Sequence, residues 1–109
     1  MNPFTRRALA LARAWALQPQ VLLLDEPTAS LDPHAKRDVE SLMAGFADGG
    51  MTLVFASHNL GQVKRLATRV VYLEQGRVLA DAPVDQFFDR PRLQQLSREA
   101  DLFVKGETA

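Results

Sequence analysis

Cysteine is absent from these 109 residues, which excludes a disulfide framework and any Cys-based zinc site and fits a reducing cytoplasm. An excess of either charge is absent too. Thirteen basic and thirteen acidic residues cancel, so no overall field favours nucleic acid or an anionic lipid surface. No apolar run approaches the roughly 20 residues of a bilayer-spanning helix. There are no repeats, no low-complexity tracts and no internal linker. At this length the chain is at most one small domain, burying only part of the surface its unfolded form exposes. One segment imitates a targeting sequence, with Arg6-Arg7 ahead of Ala8-Leu9-Ala10-Leu11-Ala12 and a small-residue Ala14-Trp15-Ala16. Arg13 interrupts that apolar stretch, so it reads as a helix of the fold with Ala8, Leu11, Ala12 and Trp15 on one face.

What is present is concentrated in residues 22–33, LLLDEPTASLDP. The apolar residues 21–24 with Pro27 close behind read as a strand buried on both faces. Adjacent carboxylates, Asp25 and Glu26, stand at its exit. An acidic pair at the end of a buried strand is costly unless something cationic uses it. A hydrated metal ion bound to phosphates would do so, since carboxylate oxygens suit magnesium. The competing reading is that the chain is simply returning to water.

The remaining pattern alternates helices and strands. Asp32 stands at an N-cap position with Pro33 at the first helical residue, and Val39, Leu42, Met43 and Phe46 mark the buried face of that helix. Asp48-Gly49-Gly50 stops it. Residues 52–56 form a second apolar strand, and a helix through Leu60, Val63 and Ala67 follows His58 with Asn59 as its cap. Residues 69–74 and 77–81, separated by Gln75-Gly76, have the spacing of a β-hairpin. Pro83 opens a short helix through Phe87 and Phe88, and one last amphipathic helix covers residues 91–104. The result is an α/β layer with parallel strands, flanking helices and a terminal hairpin. Phe46, Phe55, Phe87, Phe88 and Phe103 read as core, His34 as a solvated first-turn residue, and Arg90 and Arg92 as a solvated turn around Pro91.

Several of these strings resemble the ATP-binding subunits of ABC transporters. LLLDEP is similar to their Walker B strand, Ser30-Leu31-Asp32 to their D-loop, and Phe55-Ala56-Ser57-His58-Asn59-Leu60 to their H-loop. The three motifs stand in the family's order and close to its spacing, and the resemblance covers essentially the whole chain. It implies the C-terminal part of a P-loop NTPase (ABC ATPase) domain, with residues 1–109 a single partial domain. Residues 6–14 look like the helix after the signature loop, yet Met1-Asn2-Pro3-Phe4-Thr5 carries none of that loop's glycines and no G-x-x-x-x-G-K-[ST] string occurs. The expectation is a C-terminal fragment, marginally stable with exposed apolar surface, that hydrolyses no ATP by itself.

The resemblance also implies roles. Asp25 would hold Mg2+ through a coordinated water, and Glu26 would orient or deprotonate the water that attacks the γ-phosphate of ATP. His58 would contact that γ-phosphate. Ser30 and Asp32 would form the D-loop across a dimer interface. Asn59 stands where the family more often has Asp, and both cap helices. The partners implied are a second ATP-binding subunit and a membrane permease, with the subunit peripheral on the inner face of the cell membrane. Glu26-Pro27-Thr28-Ala29-Ser30 and Asn59-Leu60-Gly61-Gln62-Val63 look most like bacterial importers, an oxyanion such as tungstate or molybdate being the substrate expected. Two rivals stand beside this reading. One is a non-catalytic module that docks on a full-length ATPase or permease. The other is a DNA-repair ATPase of the same superfamily, which neutral charge and absent heptads disfavour.

Overall fold

The computed structural model describes residues 2–108 and divides the chain into two compact units, one running to His58 and the other starting at Asn59.

The first unit begins with α1 (Pro3–Ala16). Asn2 caps it, its Oδ1 accepting from the Thr5 N–H at 2.7 Å, and Pro3 occupies the first turn where its missing donor costs nothing. Strand β1 (Val21–Asp25) follows, then α2 (Pro33–Asp48) and β2 (Thr52–Ala56). β1 and β2 pair in parallel from Val21 opposite Thr52 to Asp25 opposite Ala56, with α2 as the crossover that parallel pairing demands. Asp32 caps α2 as its sequence indicates, Oδ1 accepting from the Ala35 N–H at 2.8 Å. Val39 and Met43 are fully buried and Phe46 is half-buried, but Leu42 is exposed and Ala35 and Glu40 are buried in its place.

Two expectations need correcting in this unit. The buried side of α1 runs through Phe4, Arg7, Ala8, Leu11 and Ala14, turned away from Ala12 and Trp15. Alanine at every second position leaves the periodicity nearly blind to such a rotation, and Arg7, on the half-buried side, makes a contact with Pro27 that periodicity does not encode. The second correction is to β1, which is not buried on both faces. Val21, Leu23 and Val54 lie on one face of the pair and are exposed, Leu23 to 72%, while Leu22, Leu24, Leu53 and Phe55 on the other are half-buried. Within the first unit α2 packs against β2, while the side carrying Val21, Leu23 and Val54 remains exposed.

The second unit comprises α3 (Leu60–Leu66), the hairpin β3 (Arg69–Glu74) and β4 (Arg77–Pro83), and three helices, α4 (Val84–Phe87), α5 (Arg90–Leu96) and α6 (Arg98–Thr108). Gln75 (φ 51°) and Gly76 (φ 75°) are both left-handed, the primed turn whose twist matches a two-residue hairpin. The ladder reaches Pro83, two residues beyond the end expected, because Arg69 pairs with Pro83 and Val70 with Ala82. Its register shifts between Tyr72 and Leu73, which face Ala80 and Val78, leaving Leu79 as the extra residue of a bulge.

Ala80, Phe87, Leu93, Ala100 and Val104 form the core here, with Leu60, Val70, Tyr72, Phe88 and Phe103 packed against it. The single helix expected over residues 91–104 is two. Ser97 adopts an extended conformation (φ −161°, ψ 119°), and its Oγ accepts from the Ala100 N–H at 3.1 Å. A serine that caps a new helix competes with continuation of the old one. Arg90 is not part of a solvated turn. It opens α5, and its Nε donates to Oδ1 of the buried Asp101 at 3.4 Å. Among the described residues no helix is long and apolar enough to cross a membrane.

Candidate functional site

Parallel pairing with Asp25 opposite Ala56 brings the C-terminal ends of β1 and β2 side by side, so the residues just beyond each strand become neighbours. The Glu26 N–H adds one more rung, donating to the Ala56 carbonyl at 2.9 Å. There the backbone turns sharply, with Glu26 in the left-handed region at φ 47°. A residue with a Cβ pays about 1–2 kcal/mol for that conformation, so the surroundings must hold it.

The turn that follows is closed rung by rung. The Glu26 carbonyl accepts from the Ala29 N–H at 3.1 Å, and the Thr28 carbonyl from the Leu31 N–H at 3.3 Å. Between them, the Pro27 carbonyl accepts from Nη1 of Arg7, across from α1, at 2.7 Å. Pro27 and Thr28 are buried, Ser30 is exposed with φ 67°, and Asp32 is committed to its cap. Two non-glycine residues in left-handed conformations thus bracket a turn of five, residues 26–30.

This geometry carries the Glu26 carboxylate to His58, whose Nε2 lies 3.5 Å from Oε1. The histidine side chain is 88% exposed and the glutamate side chain 37%, so the pair is open to solvent, and it is ionic only when the imidazole carries a proton. An exposed pair of this kind contributes at most about 1 kcal/mol to stability. That gain does not account for a strained turn, whereas a carboxylate and an imidazole presented together at the edge of rigid strands can orient water and exchange protons. Asp25 sits on the exposed side of β1, next to the pair along the chain but outside it. Among the described residues no group of three or more His, Cys, Asp or Glu side chains gathers as a metal site.

Of the residues singled out from sequence, then, Glu26 and His58 meet, Asp25 flanks them, and Ser30 and Asp32 belong to the turn leaving the site. His34 lies apart, 80% exposed and 3.6 Å from Asp38 on the same helix face. Sequence reasoning missed Arg7 and the buried Thr28. The one available signal was an arginine, Arg7, standing just ahead of the alanines and leucines of residues 8–12 on the same side as Ala8 and Leu11.

No protein-family model matches the chain. Curated relatives do. The glutamine transport ATP-binding protein GlnQ of Geobacillus stearothermophilus is 39% identical over 87 residues, 80% of this chain and 36% of that protein. The histidine/lysine/arginine/ornithine transport ATP-binding protein HisP of Escherichia coli is 36% identical over 101 residues, 93% of this chain and 38% of that protein. Among solved structures, an inward-facing putative metal-chelate type ABC transporter matches with a TM-score of 0.75 and 28% identity, covering 88% of this chain and 39% of that one. The ADP conformation of an ATP-binding cassette of an ABC transporter matches with a TM-score of 0.72 at 17% identity, a likeness of fold alone. The chain therefore spans well under half the length of these proteins, and its fold is that of the C-terminal part of an ABC ATPase domain.

Proposed function

We propose, for a chain that belongs by sequence and fold with the ABC transporter ATP-binding proteins, that residues 1–109 are the C-terminal part of the nucleotide-binding domain of a bacterial import system. The observation that carries this reading is the Glu26–His58 pair at the ends of two parallel strands, 3.5 Å apart and open to solvent. Phosphoryl transfer to water depends on positioning and on stabilising charge more than on covalent chemistry, and a carboxylate fixed on a strand end suits the task. In the proposed reaction Glu26 orients the attacking water and accepts its proton, while His58 donates a hydrogen bond to the γ-phosphate of ATP. Ser30 and Asp32 shape the loop that meets the second ATP-binding subunit.

Asp25 fits Mg2+ in the manner expected of that ion. It offers one exposed hard-oxygen carboxylate, and magnesium keeps several waters and takes its remaining ligands from phosphates rather than from a protein cage. Bound there, the ion would neutralise phosphate charge. The phosphate-cradling glycine loop is not among these residues, so turnover is proposed only together with a polypeptide that supplies it.

The partners proposed are a second ATP-binding subunit and a membrane permease, which would hold the protein on the inner face of the cell membrane. The relatives above are named for amino acids, which supports an amino acid as the transported substrate and gives no support to tungstate or molybdate. The test is a chimera, the chain joined in frame to the N-terminal portion of a related ATP-binding subunit. It should release phosphate from ATP. Glu26→Gln should keep ATP binding and lose turnover, because the amide preserves shape and removes the proton acceptor. Asp25→Asn should weaken Mg2+-dependent binding, and His34→Ala should leave turnover intact. Hydrolysis by Glu26→Gln at the unmutated rate would refute the assignment.

A further inference from the structure

We infer that Arg7 is a positioning residue for Glu26: by holding the Pro27 carbonyl, its guanidinium fixes the left-handed turn that delivers the Glu26 carboxylate to His58. The functional part of this inference rests on the reading of Glu26 given above. The geometric part stands on its own.

Three successive carbonyls of the turn at residues 26–30, those of Glu26, Pro27 and Thr28, accept hydrogen bonds after the strand ends. Glu26 and Thr28 find backbone donors within the turn, at Ala29 and Leu31. Pro27 takes its donor from Arg7, 20 residues earlier in the chain. Pro27 is buried, and a buried carbonyl without a donor is costly, so this contact is part of what makes the turn affordable in its strained form. The bond is short at 2.7 Å, as expected when a charged donor meets a neutral acceptor. The guanidinium comes from α1, whose first turn is set by the Asn2 cap, so its origin is fixed.

The two ends of the turn explain why such a clamp is needed. Glu26 and Ser30 both occupy left-handed wells without being glycine. Backbone of that kind persists only where the surroundings over-determine it. The proline ring sets one dihedral between them and the Arg7 contact sets the peptide plane that follows. Without Arg7, Glu26 is free to continue in an extended conformation, which directs its side chain elsewhere. A single side chain thereby ties α1 to the residue proposed to activate water.

The test is made on the full chain, without nucleotide, by nuclear magnetic resonance of Arg7→Ala and Arg7→Lys. A positive φ brings a residue's own Hα and amide proton close together. In Arg7→Ala the corresponding Glu26 signal should weaken by about fivefold as the residue moves to an extended conformation. The Glu26–His58 side-chain contact should be lost with it, while the contacts between residues 21–25 and 52–56 persist. Arg7→Lys, which keeps a charged donor on a long stem, should recover both signals in part. The inference is overturned if Arg7→Ala retains the Glu26 signature, if it dissolves the β1–β2 ladder along with the turn, or if Arg7→Lys behaves as Arg7→Ala does. These readouts do not depend on turnover. A chimera in which Glu26→Gln still hydrolyses ATP would sink the functional reading and leave the clamp standing, whereas an unchanged turn in Arg7→Ala would sink the clamp alone.

Discussion

Replacing Glu26 by glycine and by alanine measures the strain in the turn directly. Both variants lose the carboxylate and with it the His58 contact, so that contribution cancels between them. What remains is backbone. At φ 47° alanine carries the steric cost of a Cβ in the left-handed well, about 1–2 kcal/mol, and glycine does not. Glycine in turn gives up about 0.4–1 kcal/mol through its freer unfolded chain. The balance favours Glu26→Gly over Glu26→Ala by about 0.8 kcal/mol. One residue earlier, Asp25 lies in the strand, where glycine is worse than alanine by roughly 0.5–1 kcal/mol. The same pair of substitutions should therefore have opposite signs at adjacent positions. Urea unfolding followed by the fluorescence of Trp15, the sole tryptophan and part of α1, reports on the first unit. With a slope near 2 kcal/mol per molar urea, the midpoints of each pair should separate by about 0.4 M in opposite directions. If both positions shift the same way, the left-handed turn at Glu26 is not a strained one and the reasoning fails.

Three further outcomes are expected. Asp32→Ala should lower the stability of the first unit by about 1 kcal/mol, while Asp32→Asn, which still accepts from the Ala35 N–H, should lose only a few tenths, as read by the same urea titration. Ser97→Ala should cost about 1 kcal/mol in the second unit and fray the start of α6, seen as faster amide exchange at Ala100. Burial and then the hydrogen bond to Glu74 hold the Tyr72 phenol above its ordinary value near 10. The folded state thus keeps that proton longer than the unfolded chain does, and the associated stability is present below pH 10 and lost as pH rises beyond it. Because Tyr72 is the sole tyrosine, phenolate absorbance reads the titration directly, and Glu74→Gln should move it back down.

The elements that sequence made legible are those whose signals are local. Asp32-Pro33 and Asn59 announce their helices because a cap is a contact across three residues. Gln75-Gly76 announces its hairpin because two positive dihedrals must be met on the spot. That Glu26 and His58 both stand at strand ends was legible through motif order, while their 3.5 Å contact follows from the register that sets Asp25 opposite Ala56. What was not legible depends on partners far along the chain. The buried side of α1 includes Arg7, whose reach to Pro27 across 20 residues no periodicity encodes. The break at Ser97 was hidden because apolar spacing continues across it from Leu93 to Ala100 and Val104, and only the hydroxyl marks the interruption. Residues 21–24 carry an apolar pattern suited to two covered faces, and composition alone does not say which of them is covered here.

The bulge at Leu79 has a consequence for how this chain tolerates changes in length. Removing one residue from a strand ordinarily inverts every side chain beyond the gap, because faces alternate with a period of two. Here Leu73 pairs with Val78 on the exposed face and Tyr72 with Ala80 on the core face, and Leu79 is the residue that fits neither partner. Its deletion would join Val78 directly to Ala80 and produce a regular ladder in which Ala80 and Ala82 still face inward and Asp81 still faces out. The same deletion at Asp81 would reverse the face of whatever follows in β4. The reading frame of the hairpin is thus elastic at one position and rigid at its neighbours, and length variation is best accommodated where the ladder already carries a spare residue.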